Sequence, residues 1–181
     1  MKSLHPEDKK LQRRTVFIKI KSAHDQLNKC AGLMKKFDAS LPLSCYTNFR
    51  DALFHFTKIN RLIDESEISN QVFAVEEHLS RAMTDAVNGI SDYYLKGVAK
   101  ILKDEEIADK IDFSQLRMIL HKIKQGWLLI RLNGMVMTAS GAYDVDKASL
   151  LKLFDDLDSL IFNSKLKENE IISCFVSENH S

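Results

Sequence analysis

Proline occurs only twice in the 181 residues, and this scarcity constrains the fold more than any other feature of the sequence. Pro6 lies near the start and Pro42 lies in a candidate loop, so that long stretches contain no residue that would break a helix. These stretches are rich in Leu, Lys, Ala, Ile and Glu, which favour helix over sheet. The sequence therefore predicts an all-α fold.

Apolar and small residues recur at three- and four-residue spacing in five segments, which is the pattern of helices with one buried face. The predicted helices run from about Pro6 to Asp38, from near Thr47 to about Asp64, from about Val72 as far as Lys103, from Asp112 onward, and after the turn-forming segment Gly141–Asp146. Residues 39–44 and 64–70 form predicted connections, and the tail over 166–181 is ambiguous. Short connections predict one domain over residues 1–181, an up-and-down bundle of about five helices.

The spacing also predicts which side chains of the first two helices face the core. The inward residues of the first helix are Phe17, Ile20, His24, Leu27, Ala31 and Met34, and those of the second are Phe49, Ala52, Leu53, Phe56, Ile59 and Ile63. Heptad-like stripes on the first and fourth helices are compatible with a helix-mediated dimer, although a single core explains the same spacing without a partner.

Charge and composition exclude several classes of protein. The net charge of +1 gives no global electrostatic case for nucleic acid or an anionic membrane. Ten Lys or Arg residues precede residue 38 against three acids, which we interpret as a solvated helix face, with a phosphate-facing surface as the alternative. The most apolar run, Trp127–Met137, contains Arg131 and Asn133, so we expect a soluble, cytoplasmic protein without a membrane span.

Sequence motifs narrow the chemistry further. The three cysteines are far apart and form no C-x-x-C or Cys/His cluster, so we expect reduced thiols and no metal site. The sequence contains no Gly-rich phosphate loop, G-x-S-x-G elbow, H-E-x-x-H helix or Glu-x-x-His pair. P-loop NTPases, serine hydrolases, zincins and di-iron bundles are therefore disfavoured, and we expect no cofactor.

The segment Arg50-Asp51-Ala52-Leu53-Phe54-His55 places an arginine, an acid and a histidine within a helical, apolar-striped stretch. Metal-free cleavage of RNA requires activation of a ribose 2′-hydroxyl, stabilisation of charge on the phosphate and protonation of the leaving oxygen. The imidazole of His55 can act as acid or base near neutrality, and Arg50 can donate a planar fork to phosphate oxygens. Asp51 is positioned to accept from one ring nitrogen of His55.

One helix does not complete such a site. The five-residue separation places Arg50 and His55 about 140° apart around an ideal helix, so they do not project in parallel. The long arginine side chain, a distorted first turn, or a second copy of the helix across a dimer two-fold can bring the groups together, and we favour the dimer.

Here the sequence resembles the HEPN superfamily, all-helical domains marked by an arginine, four to six residues and then a histidine, commonly with a polar residue directly after the arginine. Arg50-Asp51-x-x-x-His55 fits this pattern. The resemblance implies a metal-independent endoribonuclease, or a defence or toxin–antitoxin component, in which paired motifs form a composite cleft in a homodimer. It also implies that Arg50 and His55 are catalytic, that Asp51 supports them, and that an antitoxin protein is a possible partner.

A second polar group lies on the third predicted helix, where Glu77, Arg81 and Asp85 follow one another at four-residue spacing beside His78. One interpretation is a surface charge ladder; the other is that these residues support the site if the second and third helices pack side by side. Two functions remain: an endoribonuclease, and a non-catalytic helical binding or regulatory module in which Arg50 and Asp51 pair structurally and His55 covers the edge of the core.

Overall fold

The computed structural model describes residues 5–37, 39–62, 64–136 and 147–175. Within these ranges the regular elements are seven α-helices, which confirms the all-α class. They are α1 (Pro6–Lys35), α2 (Leu43–Ile59), α3 (Glu65–Lys103), α4 (Glu105–Ala108), α5 (Phe113–Val136), α6 (Lys147–Phe162) and α7 (Glu168–Phe175). No helix of these described ranges is both long enough and apolar enough to cross a membrane.

The bounds of α2 and α3 differ from the predicted ones. The first helix starts at Pro6 as predicted, but α2 starts directly after Pro42, whose extended backbone offers its carbonyl to the amide of Cys45 at 3.0 Å. The polar segment predicted to connect the second and third helices is the first turn of α3. Asp64 caps that turn by accepting hydrogen bonds from the amides of Ser66 and Glu67 at 2.9 and 3.2 Å.

The count of about five helices was too low because two short helices escaped notice. The four-residue α4 lies between the third and fourth predicted helices, and Asp104 caps it by accepting hydrogen bonds from the amides of Glu106 and Ile107. The ambiguous tail contains α7, which buries Ile171, Cys174 and Phe175. The helix α5 begins next to Asp112, where a predicted helix also begins, and Asp112 caps it by accepting a hydrogen bond from the amide of Gln115 at 3.0 Å. The turn predicted at 141–146 lies outside the described residues.

The contacts divide the described chain into two compact units. Unit 1 comprises the part up to Ala31 together with Leu41–Ala86, and unit 2 comprises Gly32–Ser40 together with the part from Val87 onward. The helices α1 and α3 therefore each contribute residues to both units. The prediction of one bundle domain over the whole chain stays a prediction.

In unit 1, α2 runs antiparallel to both of its neighbours. Its contacts with α1 pair Phe17 with Phe56 and His24 with Phe49, at ring-centroid distances of 6.4 and 5.9 Å. The core-facing residues of α1 are Val16, Ile20, Ala23, Leu27 and Cys30. The predicted stripe of this helix was wrong at two positions, because Phe17 and His24 are exposed while Val16 and Ala23 are buried.

A second correction concerns the outer face of α2. Leu53, predicted to face the core, is 39% exposed, and it belongs to a row of exposed apolar residues on this helix. We call this row the α2 outer face; it consists of Leu43, Tyr46, Leu53 and Phe54.

Unit 2 has an aromatic core around Phe37, which stacks on Phe175 of α7 at a centroid distance of 4.3 Å. Tyr94 is fully buried beside them, and its hydroxyl donates to Asp158 of α6 at 3.2 Å. Burial raises the pKa of the Tyr94 hydroxyl far above its usual range, so that it acts as a donor. Lys36 forms an ion pair with Asp158, which compensates the buried carboxylate.

Candidate functional site

Two histidines meet between α2 and α3 in unit 1. The rings of His55 on α2 and His78 on α3 are stacked, with centroids 5.3 Å apart and planes inclined by 19°. Both side chains are half-buried. The second and third helices thus pack side by side, as the supporting role of His78 required.

An amide side chain fixes the ring of His55. The Nδ1 atom of His55 lies 2.8 Å from Oε1 of Gln71. The carbonyl oxygen of an amide can only accept, so with the Gln71 amide in this orientation Nδ1 is the donor, and Nε2 keeps the lone pair of the neutral ring. Gln71, and not Asp51 as predicted, is the partner that orients this nitrogen.

A longer chain of hydrogen bonds fixes His78. Its Nδ1 atom lies 3.3 Å from Oδ1 of Asn48, and Nδ2 of Asn48 donates to Oδ2 of Asp85 at 3.2 Å. A carboxylate accepts hydrogen bonds, so Asp85 turns the Asn48 amide nitrogen towards itself and the carbonyl oxygen towards His78. His78 therefore also carries its proton on Nδ1, which leaves Nε2 as the basic atom of its neutral form.

The hydrogen bonds that hold the two histidine rings are reciprocal, because each ring is bound by an amide side chain of the other helix. Asn48 and His55 are seven residues apart on α2, and Gln71 and His78 are seven residues apart on α3. Seven residues are almost two turns, so each pair shares one helix face. Because the helices are antiparallel, the amide of each helix lies opposite the histidine of the other. We call His55, His78, Asn48 and Gln71 together the histidine pair site.

Sequence reasoning missed Asn48 and Gln71. The repeated amide-x₆-histidine spacing was visible on both helices, but a single copy of it has no special meaning. Its significance depends on the register between α2 and α3, which pairs each amide with the other helix's histidine.

The predicted catalytic arginine lies elsewhere. The guanidinium of Arg50 donates from Nε and Nη2 to Oδ1 of Asp51 at 3.1 and 2.9 Å, and 74% of the Arg50 side chain is exposed. The side chains of Arg50 and His55 project from α2 about 140° apart, as expected from their five-residue separation. The structure therefore brings Arg50 together with Asp51, and it brings His55 together with His78.

The other predicted supporting residues are split between two roles. Glu77 and Arg81 form an exposed ion pair along α3, as a surface ladder would. Asp85 instead accepts a hydrogen bond from Asn48 and thereby supports the histidine pair site. Arg81 follows His78 by three residues, which places it on the neighbouring position of the same helix face.

An exposed aromatic side chain flanks the pair. The ring of Phe54 is 57% exposed and lies edge-on to His55 at a centroid distance of 5.8 Å. The Nζ atom of Lys58 lies 4.2 Å from the centre of the Phe54 ring. This arrangement presents an aromatic face and a cation beside His55, the two features with which proteins hold unpaired bases and phosphates.

A cysteine lies buried in the same unit. Burial, and secondly the charge of Asp85, raise the pKa of the Cys45 thiol to about 11. Its thiolate is therefore scarce near neutral pH, which disfavours Cys45 as a nucleophile. Within the part of the chain that the structure describes, no three His, Cys, Asp or Glu side chains form a group that could hold a metal ion.

Comparison with known proteins leaves the function open. No protein-family model matches the chain, and no curated protein or solved structure is significantly similar to it. The geometry of the histidine pair site is therefore the basis for a functional inference.

Proposed function

We propose that this protein is a metal-independent endoribonuclease in which His55 and His78 are the acid and the base. The observation that supports the proposal is the stacked pair of rings, each held at Nδ1 by an amide of the opposite helix. Both Nε2 atoms are thereby the ones left to exchange protons with a substrate. The proposed reaction uses one ring in its neutral form as the base and the other in its protonated form as the acid.

The reaction needs only these two groups for its protons. The neutral ring takes the proton of a ribose 2′-hydroxyl, whose oxygen attacks the adjacent phosphorus. The bond from phosphorus to the 5′-oxygen breaks, and the protonated ring donates its proton to that oxygen. The products are a 2′,3′-cyclic phosphate and a 5′-hydroxyl, and the two rings have exchanged their protonation states.

Cations beside the pair stabilise the charge on the phosphate. Arg81 is the arginine on the histidine side of α3, and Lys58 lies beside Phe54 on α2. The HEPN resemblance assigns this role to Arg50. For Arg50 to act, a second copy must bring its α2 against the site, so the homodimer, and an antitoxin that covers the site in the cell's cytoplasm, belong to this proposal.

The test is cleavage of mixed RNA in EDTA by the wild type and by His55→Gln and His78→Gln. Each substitution should lower the rate by roughly 10²- to 10⁴-fold, since each removes one acid–base group. His24→Gln is the matched control, because His24 is an exposed histidine of the same unit. Product mapping should show 2′,3′-cyclic phosphate ends. Cleavage that survives both substitutions, or that EDTA abolishes, contradicts the proposal.

Arginine variants separate the two sources of charge stabilisation. Arg81→Ala lowers the rate more than Arg50→Ala if one copy contains the whole site. The reverse order indicates that the HEPN motif acts across a dimer. Helicity measured by circular dichroism should be unchanged in both variants, since both guanidinium groups are largely exposed and form only surface ion pairs.

The second candidate function is a non-catalytic binding module, and the α2 outer face favours it. Four large apolar side chains on one helix form an exposed patch of the kind that marks protein contacts. Leu53→Glu should abolish association through this face and leave the histidine rings in place. Sedimentation of the wild type and the variant measures this effect, and association without RNA cleavage would select the binding module.

A further inference from the structure

Aromatic and cationic side chains alternate along one row of α2. Residues four apart are neighbours on the surface of a helix and form a ridge. Four successive members of one such row on α2 are an aromatic residue, a cation, an aromatic residue and a cation, and all of them belong to unit 1. We call this row the α2 ridge; it consists of Tyr46, Arg50, Phe54 and Lys58.

The α2 ridge is accessible to a ligand. The exposed fractions of Tyr46 and Phe54 are 49% and 57%, and that of the Arg50 side chain is 74%. Lys58 is half-buried, and its Nζ atom lies 4.2 Å from the centre of the Phe54 ring, so these neighbouring members of the row are in contact. Lysine and arginine outnumber the acids of α2 by two to one, because Asp51 is the only acid of this helix. The charge of the ridge therefore favours an anionic ligand.

The ridge extends to the histidine pair site. Lys58 follows His55 by three residues, so the two side chains are neighbours on the surface of α2. The ring of Phe54 lies 5.8 Å from that of His55, measured between centroids. A ligand that lies along the ridge and places an anionic group at Lys58 thus brings this group beside His55. This continuity distinguishes the ridge from an isolated apolar patch.

The chemistry of the ridge matches an unpaired nucleic acid strand. Tyr46 and Phe54 are eight residues apart, which is about 12 Å along the helix axis, and the same distance separates Arg50 from Lys58. Aromatic side chains stack on bases whose faces are free, and a single strand offers such bases together with the phosphates that link them. In a duplex the faces of the bases are covered by the neighbouring base pairs, so the two aromatic rings would have no partner.

We propose that the α2 ridge binds a single-stranded nucleic acid, with bases stacked on Tyr46 and Phe54 and phosphates held by Arg50 and Lys58. Neither kind of contact reads a base edge or a 2′-hydroxyl, so binding is independent of base sequence, and RNA and DNA strands bind alike. The inference rests on the proposed function in one respect, namely that an RNA strand on the ridge is the substrate of His55 and His78.

The test is a titration of a fluorescein-labelled oligodeoxythymidine of about 12 nucleotides with the full-length protein, followed by fluorescence anisotropy at low salt. This strand has no 2′-hydroxyl and cannot be cleaved, and a DNA duplex of the same length is the comparison. The single strand should bind more tightly than the duplex. Phe54→Ala should weaken binding of the strand roughly 5- to 150-fold, as expected for the loss of one stacked base.

Controls separate stacking and phosphate contacts from general effects of substitution. Phe73→Ala is the matched control, because Phe73 is 68% exposed in the same unit but is followed by Glu76 and Glu77 in place of cations, and this variant should bind like the wild type. Arg50→Ala and Lys58→Ala should each reduce the slope of log Kd against log salt concentration by about 0.7, since each removes one phosphate contact.

A tryptophan at position 54 reports stacking directly. Phe54→Trp should retain the affinity, and its emission should be quenched when a base stacks on the new ring. The wild type, whose single tryptophan is Trp127 in unit 2, should show no quenching.

The proposal is overturned if the duplex binds as tightly as the single strand, if Phe54→Ala binds like the wild type, or if the strand leaves the emission of Phe54→Trp unchanged. Sedimentation of the wild type as a dimer that binds no strand would show that a second copy covers the ridge, and this result overturns the proposal as well. Binding of the strand without cleavage of RNA contradicts the proposed function alone. Cleavage of RNA with no effect of Phe54→Ala on binding contradicts the role of the ridge alone.

Discussion

Substitution of Gly97 by alanine should disrupt the aromatic core of unit 2. A Cβ atom at this position of α3 would lie 2.3 Å from both Cδ1 and Cε1 of Phe175, and 2.8 Å from its Cγ. The Phe175 ring cannot simply swing away, because it is 3% exposed and stacks on Phe37. The methyl group therefore forces either a displacement of the ring or a shift of α7 relative to α3.

The expected magnitude follows from two opposing effects. Alanine stabilises a helix interior by about 1 kcal/mol relative to glycine. Overpacking of a filled core typically costs about 1–3 kcal/mol, and complete loss of a buried phenylalanine costs about 3–5 kcal/mol. Gly32 of α1 provides the control, because a Cβ there meets nothing within 4 Å, so Gly32→Ala shows only the gain. The two variants should thus differ by about 1–3 kcal/mol, and by more if Phe175 is expelled.

Urea and thermal unfolding, monitored by circular dichroism, measure this difference. For a chain of this size, each kcal/mol changes Tm by about 2–4 °C. Near-ultraviolet circular dichroism reports the packing of Tyr93 and Tyr94 around Phe175. If Gly97→Ala is as stable as Gly32→Ala and its aromatic signal is unchanged, Phe175 does not pack on Gly97, and the reasoning is refuted.

Two predictions concern pH. The pKa of Cys45 is about 11 in the folded protein, and the unfolded thiol ionises from about 9, so native stability should fall by roughly 2–3 kcal/mol as the pH rises through this interval. Cys45→Ala should make the unfolding free energy less dependent on pH between about 9 and 11. An unchanged dependence would show that the Cys45 thiol does not cause the loss of stability. The hydrogen bond from Lys110 lowers the pKa of Glu170 below its ordinary value of 4.5. The ion pair therefore contributes its full stabilisation of the folded state above about pH 4.5, and this stabilisation is lost as the pH falls through the lowered pKa. Urea midpoints of Glu170→Gln should show a smaller loss in acid, and an identical acid profile would refute this.

The sequence predicts the all-α fold class and the start of the first helix well, because both depend on local properties of the chain. Scarce proline and three–four spacing act within one segment, and α1 begins at Pro6, where proline is favoured as the first helical residue. The starts of α2 and α3 were displaced because a polar sequence looks like a loop even when a side chain such as Asp64 caps it. Similarly, where two apolar residues are adjacent, as at Val16 and Phe17, the spacing alone does not show which of the two is buried.

The candidate site shows a different limit. The sequence draws attention to Arg50 and His55 because they are close along the chain, yet their directions on α2 diverge. His78 was included only as a neighbour of a charge ladder, and its contact with His55 depends on how α2 and α3 align. Such a register results from packing along the whole length of both helices, and no single segment encodes it.

The division of the chain into two units has a consequence for how the protein can be made or cut. Neither unit is one continuous segment, because Gly32–Ser40 belongs with the part after Val87. A fragment that ends at Ala86 would therefore retain Phe37 without Phe175, on which that ring stacks. During synthesis, Phe37 leaves the ribosome long before Phe175 is made, and it has to remain without this contact while the more than 130 residues between them are added. Truncation cannot separate the units, so the histidine pair site is best studied in the full-length chain.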